Sequence, residues 1–99
     1  MADRNVHPAS FAFLNLAANA TTTVKTGGGL LHSITLNNAG AGGNTCAVYD
    51  NTAGSGTLIA TIDTVELNGR TLLYDVHFVT GLTIVIATGT AADITVTYL

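Results

Sequence analysis

The C-terminal stretch Gly81–Leu99 constrains the fold most, because it carries the alternation of a β-strand. Its last segment, Asp93–Leu99, is polar at Asp93, Thr95 and Thr97 and apolar at Ile94, Val96 and Tyr98. This period of two is typical of a strand with one buried face. Leu82–Thr88 is apolar on both parities, which indicates a more deeply buried strand. The short segment Gly89-Thr90-Ala91-Ala92 between them predicts a hairpin turn.

Six further segments have strand patterns and are separated by turn-forming residues. They are Phe11–Leu16, Ala20–Thr26, Leu30–Asn38, Thr45–Asp50, Thr57–Asp63 and Thr71–Val79. Turn signals recur about every 8–12 residues, and strong helix formers such as Glu, Lys and Gln are almost absent. The sequence therefore predicts an all-β fold of about seven or eight short strands. Its architecture is expected to be an antiparallel β-sandwich that resembles a jelly roll.

Alternation also predicts which side chains point inward. In Leu30–Asn38 we expect an inward row of Leu30, His32, Ile34 and Leu36, with Leu31 and Ser33 among the outward residues. In Thr57–Asp63 we expect Leu58, Ala60 and Ile62 to share one face.

A chain of 99 residues is expected to form one domain. Residues 1–10 are polar and predict a flexible N-terminal arm, which leaves residues 11–99 as a single β-sandwich domain. Charged residues make up 9% of the chain, against about a quarter in typical soluble domains. Hydroxyl and amide side chains must then cover the surface, or the surface must pack against copies or partners.

The basic residues argue against a nucleic-acid partner. Arg4, Lys25 and Arg70 are scattered and the net charge is −3, so no stripe for tracking phosphates is expected. No apolar run is long enough for a membrane helix. We therefore expect neither nucleic acid nor a membrane as a partner.

The candidate catalytic and metal-binding residues do not form a recognisable site. His7, His32 and His77 lack the close spacing of zinc ligands, so we interpret His32 as a hydrogen-bonded core or interface histidine. His77 shares its parity with Asp75, which either binds it or faces solvent. Cys46 shares its parity with Val48 and is expected to be a buried small side chain rather than a nucleophile. We predict a protein that is not an enzyme and has no catalytic residue, metal or cofactor.

The carboxylates have a structural interpretation. Asp50, Asp63 and Asp93 lie at predicted strand ends beside turns, where aspartate commonly accepts hydrogen bonds from backbone amides. We expect them in that role rather than paired in a hydrolytic cleft.

One order of strand and turn patterns runs over about Leu30–Leu99, in the segments Leu30–Leu36, Val48–Thr52, Gly56–Ile62, Tyr74–Phe78, Gly81–Val85 and Ile94–Tyr98. This order resembles that of small structural proteins of tailed bacteriophages. The resemblance implies a compact β-sandwich in a virion, assembled in the host cytoplasm. It further implies a capsid decoration or head-associated protein that binds the major capsid protein or another virion protein as a homotrimer.

The arm and the first strand are the expected contact region. Large aromatic rings directly after a polar arm are costly to leave in water, so we expect this segment to order on docking. The predicted interface residues are Arg4, Val6, His7, Phe11, Phe13 and Leu14.

A second hypothesis is a receptor- or carbohydrate-binding module of a phage tail fibre or spike. It uses the loops Asn38–Asn44 and Asn51–Gly56 as the contact surface. Asn38–Asn44 consists of such small residues that we expect it to be flexible and to pack against nothing.

Overall fold

The protein is built from β-strands, as the sequence predicts. The structure is a computed structural model that describes residues 10–40, 44–87 and 89–99. Within these ranges there are eight strands, and no helix able to cross a membrane occurs. The strands are β1 (Ala12–Leu16), β2 (Ala20–Thr26), β3 (Gly29–Asn38), β4 (Thr45–Asp50), β5 (Thr57–Asp63), β6 (Thr71–Phe78), β7 (Gly81–Ala87) and β8 (Asp93–Tyr98).

The strands pair in a nested, antiparallel arrangement in two sheets. One sheet has the order β1-β8-β3-β6 and the other has the order β2-β7-β4-β5. Within these sheets the first strand pairs with the eighth, the second with the seventh, the third with the sixth and the fourth with the fifth. A long hairpin rolled into two facing sheets has this pairing, which is the strand order of a jelly roll. The predicted antiparallel sandwich is confirmed.

The predicted closing hairpin is wrong. β7 pairs with β2 and β4, whereas β8 pairs with β1 and β3, so the two strands lie in different sheets. The segment between them crosses from one sheet to the other. A period of two identifies a strand but carries no information on its partner, which depends on distant parts of the chain.

The core consists of alternate side chains from both sheets. Ile94 and Val96 of β8 belong to the same core cluster as Ile84 and Ile86 of β7, and all four side chains are almost fully buried. The other large buried side chains are Leu31, Ile34, Leu36, Val48, Ile62, Phe78 and Leu82. Burial of each such side chain contributes about 1.5–3 kcal/mol relative to exposure, so this layer holds the two sheets together.

A bulge at His32 interrupts the alternation of β3. Leu31 and Ser33 pair with the adjacent residues Tyr98 and Thr97 of β8, so His32 has no partner there. On the other side of β3, two residues of β6 lie opposite His32. One of them is Asp75, whose φ of 50° is in the left-handed region that aspartate tolerates better than most residues.

This bulge overturns the inward row predicted for β3. Leu31, expected outside, is completely buried, whereas Leu30 and His32, expected inside, are only partly buried. Ile34 and Leu36 are inward as predicted. The extra residue shifts the parity, so Leu31 and Ile34 share a face although they are three positions apart.

A second bulge corrects the row predicted for β5. Val48 pairs with Ala60 and Tyr49 pairs with Leu58, which leaves Ile59 as the extra residue. Ile62 is buried as predicted, but Leu58 is 51% exposed. Leu58 therefore does not share the inward face with Ala60 and Ile62.

Leucines 30 and 31 provide a direct test of the first bulge. We expect Leu31→Ala to lower the free energy of unfolding by about 2–5 kcal/mol, because it leaves a cavity in the core. Leu30→Ala is the matched control and should cost clearly less, because Leu30 is only partly buried. Urea unfolding of both variants measures the difference. A larger loss of unfolding free energy for Leu30→Ala than for Leu31→Ala would show that Leu30 is the inward residue, which contradicts the bulge.

Candidate protein-contact surface

The outward surface of the sheet β1-β8-β3-β6 is made of rows of side chains that run across all four strands. In one row Phe13 pairs with Thr97, Thr97 with Ser33 and Ser33 with Leu73. The Ser33 and Thr97 hydroxyls lie 2.6 Å apart and hydrogen-bond to each other. The centre of this row is thus a satisfied polar pair, while its two ends are large apolar side chains.

These two ends are unusually exposed. Phe13 on the edge strand β1 is 73% exposed, and Leu73 on the opposite edge strand β6 is 67% exposed. Large apolar side chains this exposed on one outward surface make that surface a candidate contact site. We call this surface the Phe13 face, and it comprises Phe11, Phe13, His32, Ser33, Leu73 and Thr97.

An aromatic stack extends the Phe13 face towards the start of β1. The Phe11 ring lies flat on the His32 imidazole, with ring centroids 4.0 Å apart and an interplanar angle of 8°. Asp75 holds the edge of the same imidazole, because His32 Nδ1 donates a hydrogen bond to Asp75 Oδ1 at 2.5 Å. The bulge described above brings these three residues together, because it places His32 opposite Asp75.

A network of amides and hydroxyls covers the other end of the same sheet. Asn15 Nδ2 and Asn37 Nδ2 both donate to Asp93 Oδ1, at 2.7 and 3.1 Å. These two donors, Asn15 first, hold the pKa of the Asp93 carboxyl below its ordinary value. The expectation that Asp93 bonds backbone amides is wrong, because in the described residues its partners are side chains of the neighbouring strands. The network keeps a polar surface solvated without using more charges.

The predicted interface residues divide into three groups. Phe11 and Phe13 are exposed on the Phe13 face. Leu14 points the other way, is partly buried and packs against the core. Arg4, Val6 and His7 lie outside the described residues. Sequence reasoning missed Leu73 and the pairing of His32 with Asp75, because their neighbours come from distant strands.

The residues considered for chemistry do not converge. Asp75 binds His32 rather than His77, and His77 is exposed. Cys46 is buried as predicted, and burial raises the pKa of its thiol to about 12, which disfavours a thiolate. In the part of the chain that the structure describes, no group of three or more His, Cys, Asp or Glu side chains is placed to hold a metal ion.

Asp50 and Asp63 are bound to backbone amides, as predicted. Asp63 Oδ1 accepts from the amides of Val65 and Glu66 at the turn that follows its strand. Asp50 binds a different turn, because its carboxylate accepts from the amides of Val79, Thr80 and Gly81, where β6 ends and β7 begins. It therefore ties the end of β4 to the crossover from one sheet to the other.

The loop Asn51–Gly56 is held against the outward surface of the sheet β2-β7-β4-β5. Thr83 Oγ1 donates to the Asn51 carbonyl, and Thr23 Oγ1 donates to the Thr52 carbonyl. A Cβ on Gly54 would lie 2.7 Å from Val85 Cγ2, so only glycine allows this close approach. The loop covers its own sheet and carries no aromatic ring for stacking on a sugar.

The ends of the loop Asn38–Asn44 also pack, which corrects the expectation that it contacts nothing. Thr64 is buried, and its Oγ1 donates to the carbonyls of Ala39 and Asn44. Asn44 is buried as well, and its Nδ2 donates to the Thr90 carbonyl. Residues 41–43, in the middle of the loop, lie outside the described ranges.

Comparisons with known proteins add no relationship to these observations. No protein-family model matches the chain, and no curated protein matches it.

The Asp50 contacts predict a dependence of stability on pH. Backbone amides, that of Thr80 first, hold the pKa of the Asp50 carboxyl below its ordinary value of 3.8. The stability that the ionised Asp50 carboxylate gives to the folded state is therefore complete at pH values above its ordinary pKa. It is lost as the pH falls through the lower folded-state pKa. We expect Asp50→Asn to be less stable than the parent at pH 7 and the difference to shrink below pH 3.8.

Urea unfolding of the parent and of Asp50→Asn across the acid range measures this effect. The parent should lose stability in acid more steeply than the variant. A difference between the two proteins that stays the same from pH 7 into acid would show that the charge of Asp50 does not stabilise the turn.

Proposed function

We propose that this protein is a non-enzymatic structural component of a virion, a capsid decoration protein that binds the assembled head of a tailed bacteriophage as a homotrimer. The observation that carries the proposal is the Phe13 face. It presents exposed apolar side chains at both ends of a row whose centre is the uncharged pair Ser33 and Thr97. Such a surface on a chain with 9% charged residues suits contact with protein rather than with a charged ligand.

The fold is compatible with this function without establishing it. Jelly rolls occur in viral capsid proteins and in lectins, so the fold alone does not separate the two classes. The sequence resemblance to small phage structural proteins favours the first. The surfaces that a lectin-like module would use have less support, because the loop Asn51–Gly56 is tied to its own sheet.

The mechanism follows from where the Phe13 face lies. Phe11 and Phe13 belong to the start of the domain, directly after the segment that we interpret as an arm. Docking of this face across two neighbouring shell subunits removes apolar surface from water and adds contact area between them. The added contacts oppose separation of the subunits under internal pressure. The arm, with Arg4, Val6 and His7, extends the same contact.

Heads purified without this protein provide the test of the proposal. We expect Phe13→Ser to weaken binding to such heads by roughly 10- to 100-fold, because burying a Phe contributes about 1.5–3 kcal/mol. Leu73→Ser should weaken binding as well. Leu58→Ser is the matched control, since Leu58 is 51% exposed on an edge strand of the other sheet. Sedimentation of the protein with the heads measures the bound fraction.

Two further measurements separate the parts of the proposal. Removal of residues 1–9 takes away no residue of the eight described strands and should also reduce binding, because the arm extends the contact. Parent protein that does not bind heads, together with specific signals on a glycan array, would replace the proposal with the receptor-binding hypothesis. Binding that is reduced by Leu58→Ser but not by Phe13→Ser would place the contact on the other sheet.

A further inference from the structure

The two sheets differ in how their edges are protected from pairing with other strands. The edge strands are β1 and β6 in one sheet, and β2 and β5 in the other. β2 has an extra residue at Val24, β5 at Ile59, and β6 at Tyr74–Asp75. Bulges of this kind twist an edge and disturb the regular row of amides and carbonyls that another strand needs.

The edge of β1 lacks this protection. All five of its residues pair in unbroken register with β8, from Ala12 with Tyr98 to Leu16 with Ile94. The strand reads Ala-Phe-Leu-Asn-Leu and contains no charge and no proline. In the described ranges, no strand is hydrogen-bonded to the side of β1 that faces away from β8. A regular, uncharged edge is a template for one more strand.

We infer that β1 pairs antiparallel with β1 of a second copy of this chain, so that two four-stranded sheets join into one of eight strands. A second copy fits because each copy offers one regular edge, and two identical edges meet around a two-fold axis. The fit is also electrostatic. β1 carries no ionised side chain, so identical strands can lie side by side without like charges opposite each other.

The exposed phenylalanine fixes the position of the axis. With the two-fold axis at Phe13, each Phe13 lies directly opposite the partner's Phe13, and Ala12 lies opposite the partner's Leu14. An axis at Leu14 would instead place Phe13 opposite the partner's Asn15, and an axis at Ala12 would place it opposite the partner's Phe11, whose ring already stacks on an imidazole. Aromatic rings facing each other across strands are favourable, and the first register covers a ring that is 73% exposed in the single chain. We therefore assign the axis to Phe13.

This contact shares Phe13 with the proposed shell contact, so it is tested in solution without heads. A two-fold contact cannot close a ring of three. Where three copies form a ring through other surfaces, β1 pairing joins copies of neighbouring rings. The contact thus requires assemblies with an even number of copies in solution, a dimer or a hexamer.

Disulfide trapping tests the register. Under mild oxidation we expect Phe13→Cys to form a covalent dimer, because directly opposed residues in an antiparallel pair have Cβ atoms about 5 Å apart. Leu73→Cys is the matched control, since Leu73 has a similar exposure on the opposite, bulged edge of the same sheet. The native Cys46 is buried and should not contribute. Equal cross-linking of both variants, or none in Phe13→Cys, would overturn the assignment.

Light scattering over a range of concentrations tests the contact itself. The parent should reach an even number of copies, and Phe13→Lys should halve that number and weaken association about tenfold or more. Leu73→Lys should leave the mass unchanged, and circular dichroism confirms that both variants are folded. A parent that is a monomer at every concentration, or a trimer, would overturn the inference whether or not the protein binds heads.

Discussion

The burial of alternate side chains between two sheets is the constraint on which the whole structure depends. A slip of one residue would move a strand's apolar row from the interior to solvent, so Ile94 and Val96 of β8 fix how β8 lies against β1 and β3. The bulges at Val24 and Ile59, and the one that places His32 opposite Tyr74 and Asp75, are adjustments of this register. The last of them also creates the stack of Phe11 on His32. The same bulge therefore adjusts the packing of the core and forms part of the candidate contact surface.

The strands were predictable from the sequence because their signals are local. Thr45–Asp50 and Thr57–Asp63 were predicted with the bounds that the structure gives, since alternation and flanking glycine and asparagine mark their ends. The burial of Leu31 was not predictable, because the bulge at the next residue, His32, depends on β6, some forty residues away. The candidate site was only partly predictable for the same reason. Parity alone placed Phe11 and Phe13 together, but Leu73 and Asp75 join them only through pairing between strands.

The small number of charges has a structural explanation that does not by itself require a partner. Hydroxyls and amides on the sheet surface bind one another, as Ser33 does with Thr97 and as Asn15 and Asn37 do with Asp93. Such pairs keep polar groups satisfied at the surface at little electrostatic cost. What this network does not explain is Phe13, which stands next to it and is 73% exposed. The candidate contact surface is therefore indicated by a few exposed apolar side chains rather than by the composition.

The distribution of bulges also bears on how far association can proceed. A sheet with two regular edges can add strands at both, and identical chains would then grow into an open filament. Here β6, at the far edge of the same sheet, is interrupted at Tyr74–Asp75, and both edges of the other sheet contain an extra residue. Pairing through β1 uses the regular edge of both copies, so it ends at two and leaves bulged edges outside. The proposed role of coating a surface requires this limit, because copies on a surface must contact one another without stacking away from it.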